Sequence, residues 1–161
     1  RWNTTKPKAS IPMKPYFKEL LHIFNEHGVE YLVIGAHAVM HYTEPRFTKD
    51  HDVWVNPTED NAKKVFASLA EFGVPLSDAT WEDFAVEGTV YQIGTSAERI
   101  DVLTKPSGLT FDECWIRRDD FLHGDLPVHV IGREDLIENK RLCGRPQDLL
   151  DIDKLKNYKK S

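Results

Sequence analysis

Two aspartates one residue apart, Asp50 and Asp52, stand in the stretch FTKDHDVWV (residues 47–55), which begins polar and charged and ends apolar. In an extended strand alternate side chains share a face, so both carboxylates point the same way, with Cα atoms roughly 6.6 Å apart, and His51 points away. Two carboxylates in a partly dry site repel, and one is forced to stay neutral unless a cation sits between them. A hard divalent ion meets that need, since Mg²⁺ takes oxygen ligands, commonly one or two carboxylates together with substrate phosphates. Taken alone, the pair is equally compatible with two solvated aspartates on a strand edge. A third acid shifts the balance. In RIDVLT, Ile100 and Val102 face one side and leave Asp101 on the opposite face of an otherwise apolar strand. The plain partner for Asp101 is Arg99 in a structural salt bridge; the chemical one is a metal shared with Asp50 and Asp52. Three carboxylates can hold two ions about 4 Å apart, one activating an attacking oxygen and both binding a transferring phosphoryl group.

Upstream, VIGAHAV runs from an apolar stretch through Gly35 into a helical pattern. A helix start offers unpaired backbone N–H groups, and glycine lets a phosphate approach the chain closely. The same glycine also serves where nothing but a tight turn is needed. His37 and His41, four apart on that helix, have the spacing to reach one metal, but Ala38 stands where a metalloprotease needs a glutamate and no third ligand is evident. The expectation is one histidine beside the turn and the other on the helix surface, with His51, His123 and His129 carrying no function. Trp81 and Phe84 are either apolar anchors of their loop or a platform for a base or an aminoglycoside-like ring.

These residues need elements to hold them. The first 14 residues mix Pro, Lys and Ser without period and read as an extended arm; residues 15–161 read as a single domain ending in two helices. Phe17, Leu20, Leu21 and Phe24 keep helical spacing up to Gly28. YLVIG and HDVWV read as strands around the helix AHAVMHYT, and Thr58 caps a helix over residues 59–73 whose inward stripe is Val65, Phe66 and Leu69. Residues 74–88 read as a loop. TVYQIG and RIDVLT form a hairpin, FDECWIRRDDFLHG is a short helix or irregular, and LPVHVIG is a strand. REDLIENKRLCG and PQDLLDIDKLKNYKK are helices, the second turning Leu149, Ile152 and Leu155 inward and the two joined by an Arg145–Asp148 ion pair. The order predicts an α+β fold, a mixed β-sheet with flanking helices.

Composition narrows the classes. With 161 residues, 40% hydrophobic and 29% charged, the chain is long enough for a real core. A formal charge of −5 argues against a broad basic face for duplex DNA, leaving only a local patch of Arg117, Arg118, Lys140, Arg141 and Arg145 for RNA. Two cysteines, Cys114 and Cys143, form no disulfide scaffold, and no apolar run reaches the length of a membrane span. Both suit a cytoplasmic protein without a membrane partner; whether residues precede Arg1 stays open.

GAHAVMHYTEPRFTKDHDVWV resembles the nucleotidyltransferase signature of the DNA polymerase β superfamily: a small-residue turn opening a helix, Asp-x-Asp on a strand, and a third acid on a later strand. EDLIENKRLCGRPQDLLDI is similar to the closing segment of small bacterial members, including AbiEii-type toxin nucleotidyltransferases. The resemblance spans about residues 29–155. It implies a palm-like fold and a Mg²⁺- or Mn²⁺-dependent enzyme that moves a nucleoside monophosphate from a triphosphate such as ATP onto a hydroxyl, releasing pyrophosphate. The acceptor can be a tRNA end, a protein or a small molecule. Position by position, Gly35 and Ala36 become the phosphate-binding turn, Asp50, Asp52 and Asp101 the metal ligands, and Asp101 also the base for the incoming hydroxyl. Arg46 and Lys49 lie where a basic group meets triphosphate, and Lys140 is the further residue expected at nucleotide or pyrophosphate, unless it is a solvated lysine paired with a nearby Glu. Members usually carry Gly-Ser or Gly-Gly at the turn; Ala36 forfeits a hydroxyl contact and keeps the backbone ones. Two rivals are a catalytically weak or inactive nucleotide- or partner-binding module of a toxin-antitoxin system, joined to an antitoxin or a second copy, and a phosphohydrolase that uses water.

Overall fold

The computed structural model describes residues 13–95, 97–105 and 108–158, so nearly all of the expected arm at 1–14 lies outside the described residues. The first helix, α1 (Pro15–His27), opens on a proline whose fixed φ suits a first helical turn, and Gly28 ends it at φ 69°. Phe17, Leu20, Leu21 and Phe24 are all fully buried, as their spacing requires.

Six strands, β1 (Tyr31–Ile34), β2 (Asp50–Val55), β3 (Val90–Gly94), β4 (Arg99–Leu103), β5 (Asp119–His123) and β6 (Leu126–Val130), form one sheet in the order β3-β4-β2-β1-β6-β5. β1 runs antiparallel to β2 and parallel to β6, and β2 runs parallel to β4, so the sheet is mixed. Around it lie α2 (Gly35–Tyr42), α3 (Glu59–Phe72), α4 (Phe111–Ile116), α5 (Arg133–Cys143) and α6 (Pro146–Asn157). The α+β architecture expected from the sequence is the one observed. Central β1 is buried along its whole length, which is why it reads as an uninterrupted apolar run rather than an alternation.

The pleat of β2 sorts the two faces. His51 stacks on Phe17 of α1, with ring centroids 4.9 Å apart, so this side of the sheet is roofed by α1 and its neighbour α3. On the other side Trp54 packs edge-on against Phe111 of α4 and donates to the Thr104 carbonyl at 3.0 Å. Asp50 and Asp52 share that second side, at the end of the strand that α4 leaves uncovered.

Three expectations need correction. The segment 111–124 holds both α4 and a whole strand, β5, paired antiparallel with β6. Two leading aspartates disguised that strand. Asp120 is nonetheless buried, because Arg118 at 2.9 Å and His129 at 2.6 Å satisfy it. The loop 74–88 contains a 3-10 turn, Trp81–Ala85, closed by a reciprocal Thr80–Asp83 capping box. Finally, α6 does not present an apolar stripe: Leu149 is 57% exposed, and the residues it buries are Asp148, Asp151 and Leu155.

Candidate active site

Parallel pairing of β2 with β4 sets Asp52 directly opposite Asp101, and Asp50 opposite Arg99. One face of two adjacent strands therefore carries a square of three acids and one arginine. β1 pairs Ile34 with Asp52, so the turn that leaves β1 begins immediately beside that carboxylate. Gly35 starts α2 at φ 67°, and a Cβ there would lie 2.3 Å from Asp52 Oδ2. The glycine is needed twice, for a left-handed backbone and for lack of a side chain.

These groups floor an open cavity of about 660 Å³. Gly35, Ala36, Asp50, Asp52 and Asp101 line it, together with Arg46, Arg99, Lys140 and Arg145. Of the residues expected at the site, one falls outside: Lys49, in the bend before β2, is exposed and does not line the cavity. His37 and His41 do not share a metal. His37 Nε2 meets His51 Nδ1 at 2.5 Å beneath the sheet, and His41, which is buried rather than on the surface, meets Asp119 at 2.5 Å. Nor do Trp81 and Phe84 make a platform. Phe84 is fully buried and Trp81 packs beside α3 under Lys63, 4.8 Å from its ring centre, away from the cavity.

Asp151, which the sequence reading passed over, and Asp148, expected there only as the partner of Arg145, organise the far wall. Asp151 is fully buried and receives Arg46 at 2.6 and 3.3 Å and Lys140 at 3.0 Å. Asp148 receives Lys140 at 3.2 Å and Arg145 at 2.8 Å, the latter as part of a cap at the start of α6. Lys140 is thus neither a solvated lysine nor a partner of a neighbouring Glu; it is buried between two acids of the next helix. The Arg145–Asp148 pair closes the N-terminal cap of α6, and Lys140 is what ties α5 to α6. The legible signal was the spacing of the acids, 148 and 151, which puts both on one helical face opposite Lys140.

Each basic residue considered for an RNA patch has an acidic partner, although Arg117, Arg141 and Arg145 keep more than half of their side chains exposed. Arg117 is matched by Asp135 at 2.9 Å, Arg118 by Asp120 at 2.9 Å and Arg141 by Glu138, while Lys140 and Arg145 are taken by Asp148.

Electrostatics separates the acids. Burial, then the charges of Asp101 and Asp50, push the Asp52 carboxyl up to about 7, against the pull of Lys140 and Arg99. Asp101 is also raised, chiefly by burial, with Arg99 and a hydrogen bond from Asp52 opposing. The two carboxyls titrate as a coupled pair, both pushed toward the neutral form. On the far wall the direction reverses. Burial alone would raise Asp151, but Arg46, Lys140 and Gln147 hold it down at about 2.

A divalent cation fits this chemistry in two respects. Asp52 is driven toward neutrality by burial and then by the like charges beside it, and Asp101 Oδ1 is buried without a hydrogen-bond partner. Among the described residues no three His, Cys, Asp or Glu side chains converge as a ready-made cage. Asp52 and Asp101 make a two-carboxylate floor, the number Mg²⁺ commonly takes alongside substrate phosphates.

No helix among the described residues is long and apolar enough to cross a membrane. The sequence matches no protein-family model and no curated protein. Its fold is similar to that of the lincosamide antibiotic adenylyltransferase LnuA in its lincomycin-bound form, with a TM-score of 0.61 at 16% identity, covering 94% of this chain and 100% of that one. The mixed-sheet α+β fold expected from the sequence is thus similar to the fold of that adenylyltransferase.

Proposed function

We propose that the protein transfers a nucleoside monophosphate from a nucleoside triphosphate to a hydroxyl acceptor, with release of pyrophosphate. The observation that carries this reading is the placement of Asp52 opposite Asp101 beside the Gly35 turn, on the floor of a cavity walled by Arg46 and Lys140. Similarity of fold to an adenylyltransferase supports it. Asp52 and Asp101, with Asp50 beside them, would hold Mg²⁺ or Mn²⁺. Such an ion offsets phosphate charge that the acids alone would repel.

The chain's own groups divide the remaining work. Backbone N–H groups at Gly35 and Ala36, at the start of α2, face an incoming phosphate with the positive end of the helix. Arg46 and Lys140, fixed by Asp151, set positive charge on the opposite wall. Asp101 Oδ1 takes the proton of the acceptor hydroxyl, a role its raised pKa favours. The hydroxyl oxygen bonds to the α-phosphorus, the bond from that phosphorus to its bridging oxygen breaks, and pyrophosphate departs. Positioning and fixed charge supply the rate.

A small hydroxyl-bearing molecule is the acceptor class we place first. The similar structure is that of an adenylyltransferase bound to lincomycin, and the arginines suited to RNA are each engaged by a carboxylate. Likeness of the closing segment to AbiEii-type toxins supports the second reading, a cytoplasmic module that binds nucleotide and a partner protein without turnover. The test is incubation with α-labelled triphosphates and Mg²⁺, with lincosamides or other hydroxylated small molecules, tRNA, protein or no acceptor. Labelled acceptor plus pyrophosphate is expected. Free phosphate alone indicates a hydrolase, and binding without product indicates the module.

A further inference from the structure

The mechanism above leaves Arg99 without a role, although it forms the fourth corner of the acid square. Its guanidinium lies 3.3 Å from Asp50 Oδ1 and 3.4 Å from Asp101 Oδ1. Neither approach is a well-formed hydrogen bond: Arg99 Nε and Asp101 Oδ1 are both buried without a hydrogen-bond partner. Arginines elsewhere in the fold are held differently. Arg46 grips Asp151 at 2.6 and 3.3 Å, and Arg117 grips Asp135 in a fork with two contacts of 2.9 Å, the geometry that makes such pairs strong. Arg99 is also 41% exposed, so it has room to leave. It occupies the acids by charge, without the bonds that would lock it there.

We infer that Arg99 is the resident counter-cation of the carboxylate square, competing with a divalent metal for Asp50 and Asp101 and yielding when that metal binds. This inference rests on the metal-dependent reading of the same site. In the resting state the arginine spares the acids part of their mutual repulsion. Once displaced, its fixed positive charge remains within the cavity that receives phosphates.

The competition is measured with Mn²⁺ alone, without nucleotide, by isothermal titration or by the paramagnetic resonance of free Mn²⁺. Arg99→Gln is expected to bind Mn²⁺ about tenfold tighter than the wild type, the size of one partly solvated charge contact removed. Arg99→Lys, whose compact ammonium cannot span both acids, is expected to fall between them, and it serves as the test variant should Arg99→Gln fail to fold. In urea without metal, Arg99→Gln is expected to unfold earlier than the wild type, and added Mn²⁺ to raise its midpoint by more. Equal or weaker Mn²⁺ binding by the variants, with the wild type binding, overturns the competition and leaves the nucleotidyltransferase reading standing. No Mn²⁺ binding by any of the three chains removes the metal reading and the competition together.

Discussion

Replacing Asp52 by Asn tests the central electrostatic claim without any substrate. The carboxyl's folded pKa is pushed up to about 7 from the ordinary 3.8, mainly by burial and then by Asp101 and Asp50. Between those values the folded chain keeps a proton that the unfolded chain has released. The associated stability is therefore fully present below about pH 3.8 and is lost as pH rises through 7. A lone group shifted by about 3 units would cost the fold about 4 kcal/mol above pH 7. Because Asp101 shares the titration, about half of that, ~2 kcal/mol, is a fairer figure for what Asp52→Asn recovers. The amide is nearly isosteric, needs no proton to stay neutral, and still donates a hydrogen bond to Asp101. Urea unfolding of both chains in a chelator, from pH 4 to pH 8, is the assay. The variant's advantage should grow as pH rises toward 7 and level off above it. A variant no more stable than the wild type at pH 8, or an advantage that is flat across the window, would refute the idea that this carboxyl is held neutral by its surroundings. The same variant should lose metal-dependent triphosphate binding.

Gly35→Ala places a methyl 2.3 Å from Asp52 Oδ2 at a backbone φ of 67°; the left-handed conformation alone costs about 1 kcal/mol for alanine, so a lower melting temperature and weaker Mn²⁺ binding are expected together. Asp151→Asn leaves Arg46 without its buried counter-charge and Lys140 with Asp148 alone, and urea unfolding at pH 7 should show a loss of about 3 kcal/mol. Since the Asp151 pKa is held down at about 2, this contribution is present above pH 3.8 and fades only as pH falls toward 2. On α6, Leu155→Ala should cost about 3 kcal/mol, whereas Leu149→Ala at an exposed position should change unfolding by less than about 0.5 kcal/mol.

Much of this protein was open to reading in one dimension. Strand alternation put Asp50 and Asp52 on one face and His51 on the other, and the apolar flanks of Asp101 put it on the face opposite Ile100 and Val102, because a pleat repeats every two residues whatever surrounds it. Helical spacing found α1 and α3, and Gly28 ended the former through a conformation that glycine adopts readily. Pairing was another matter. That β2 lies parallel to β4, with Asp52 opposite Asp101 and Arg99 opposite Asp50, is a decision of the sheet; nothing within either strand specifies its neighbour or its register.

Burial of charge was the second thing the sequence withheld. PQDLLDIDKL reads as a leucine-faced helix, yet α6 turns Asp148 and Asp151 inward and leaves Leu149 in solvent. The reason lies on other elements: Lys140 on α5 and Arg46 before β2 reach these acids, and a carboxylate with such partners is stable where an unpaired one is not. β5 was hidden the same way, its aspartates disqualifying it until Arg118 and His129 are seen to satisfy Asp120. By itself, then, the sequence determined which way most of the candidate side chains face, since that follows from local backbone geometry. Which of them meet, which cation answers which acid, and how far each proton is held or released were decided only in the folded chain, because charge interactions act through space between residues far apart along it.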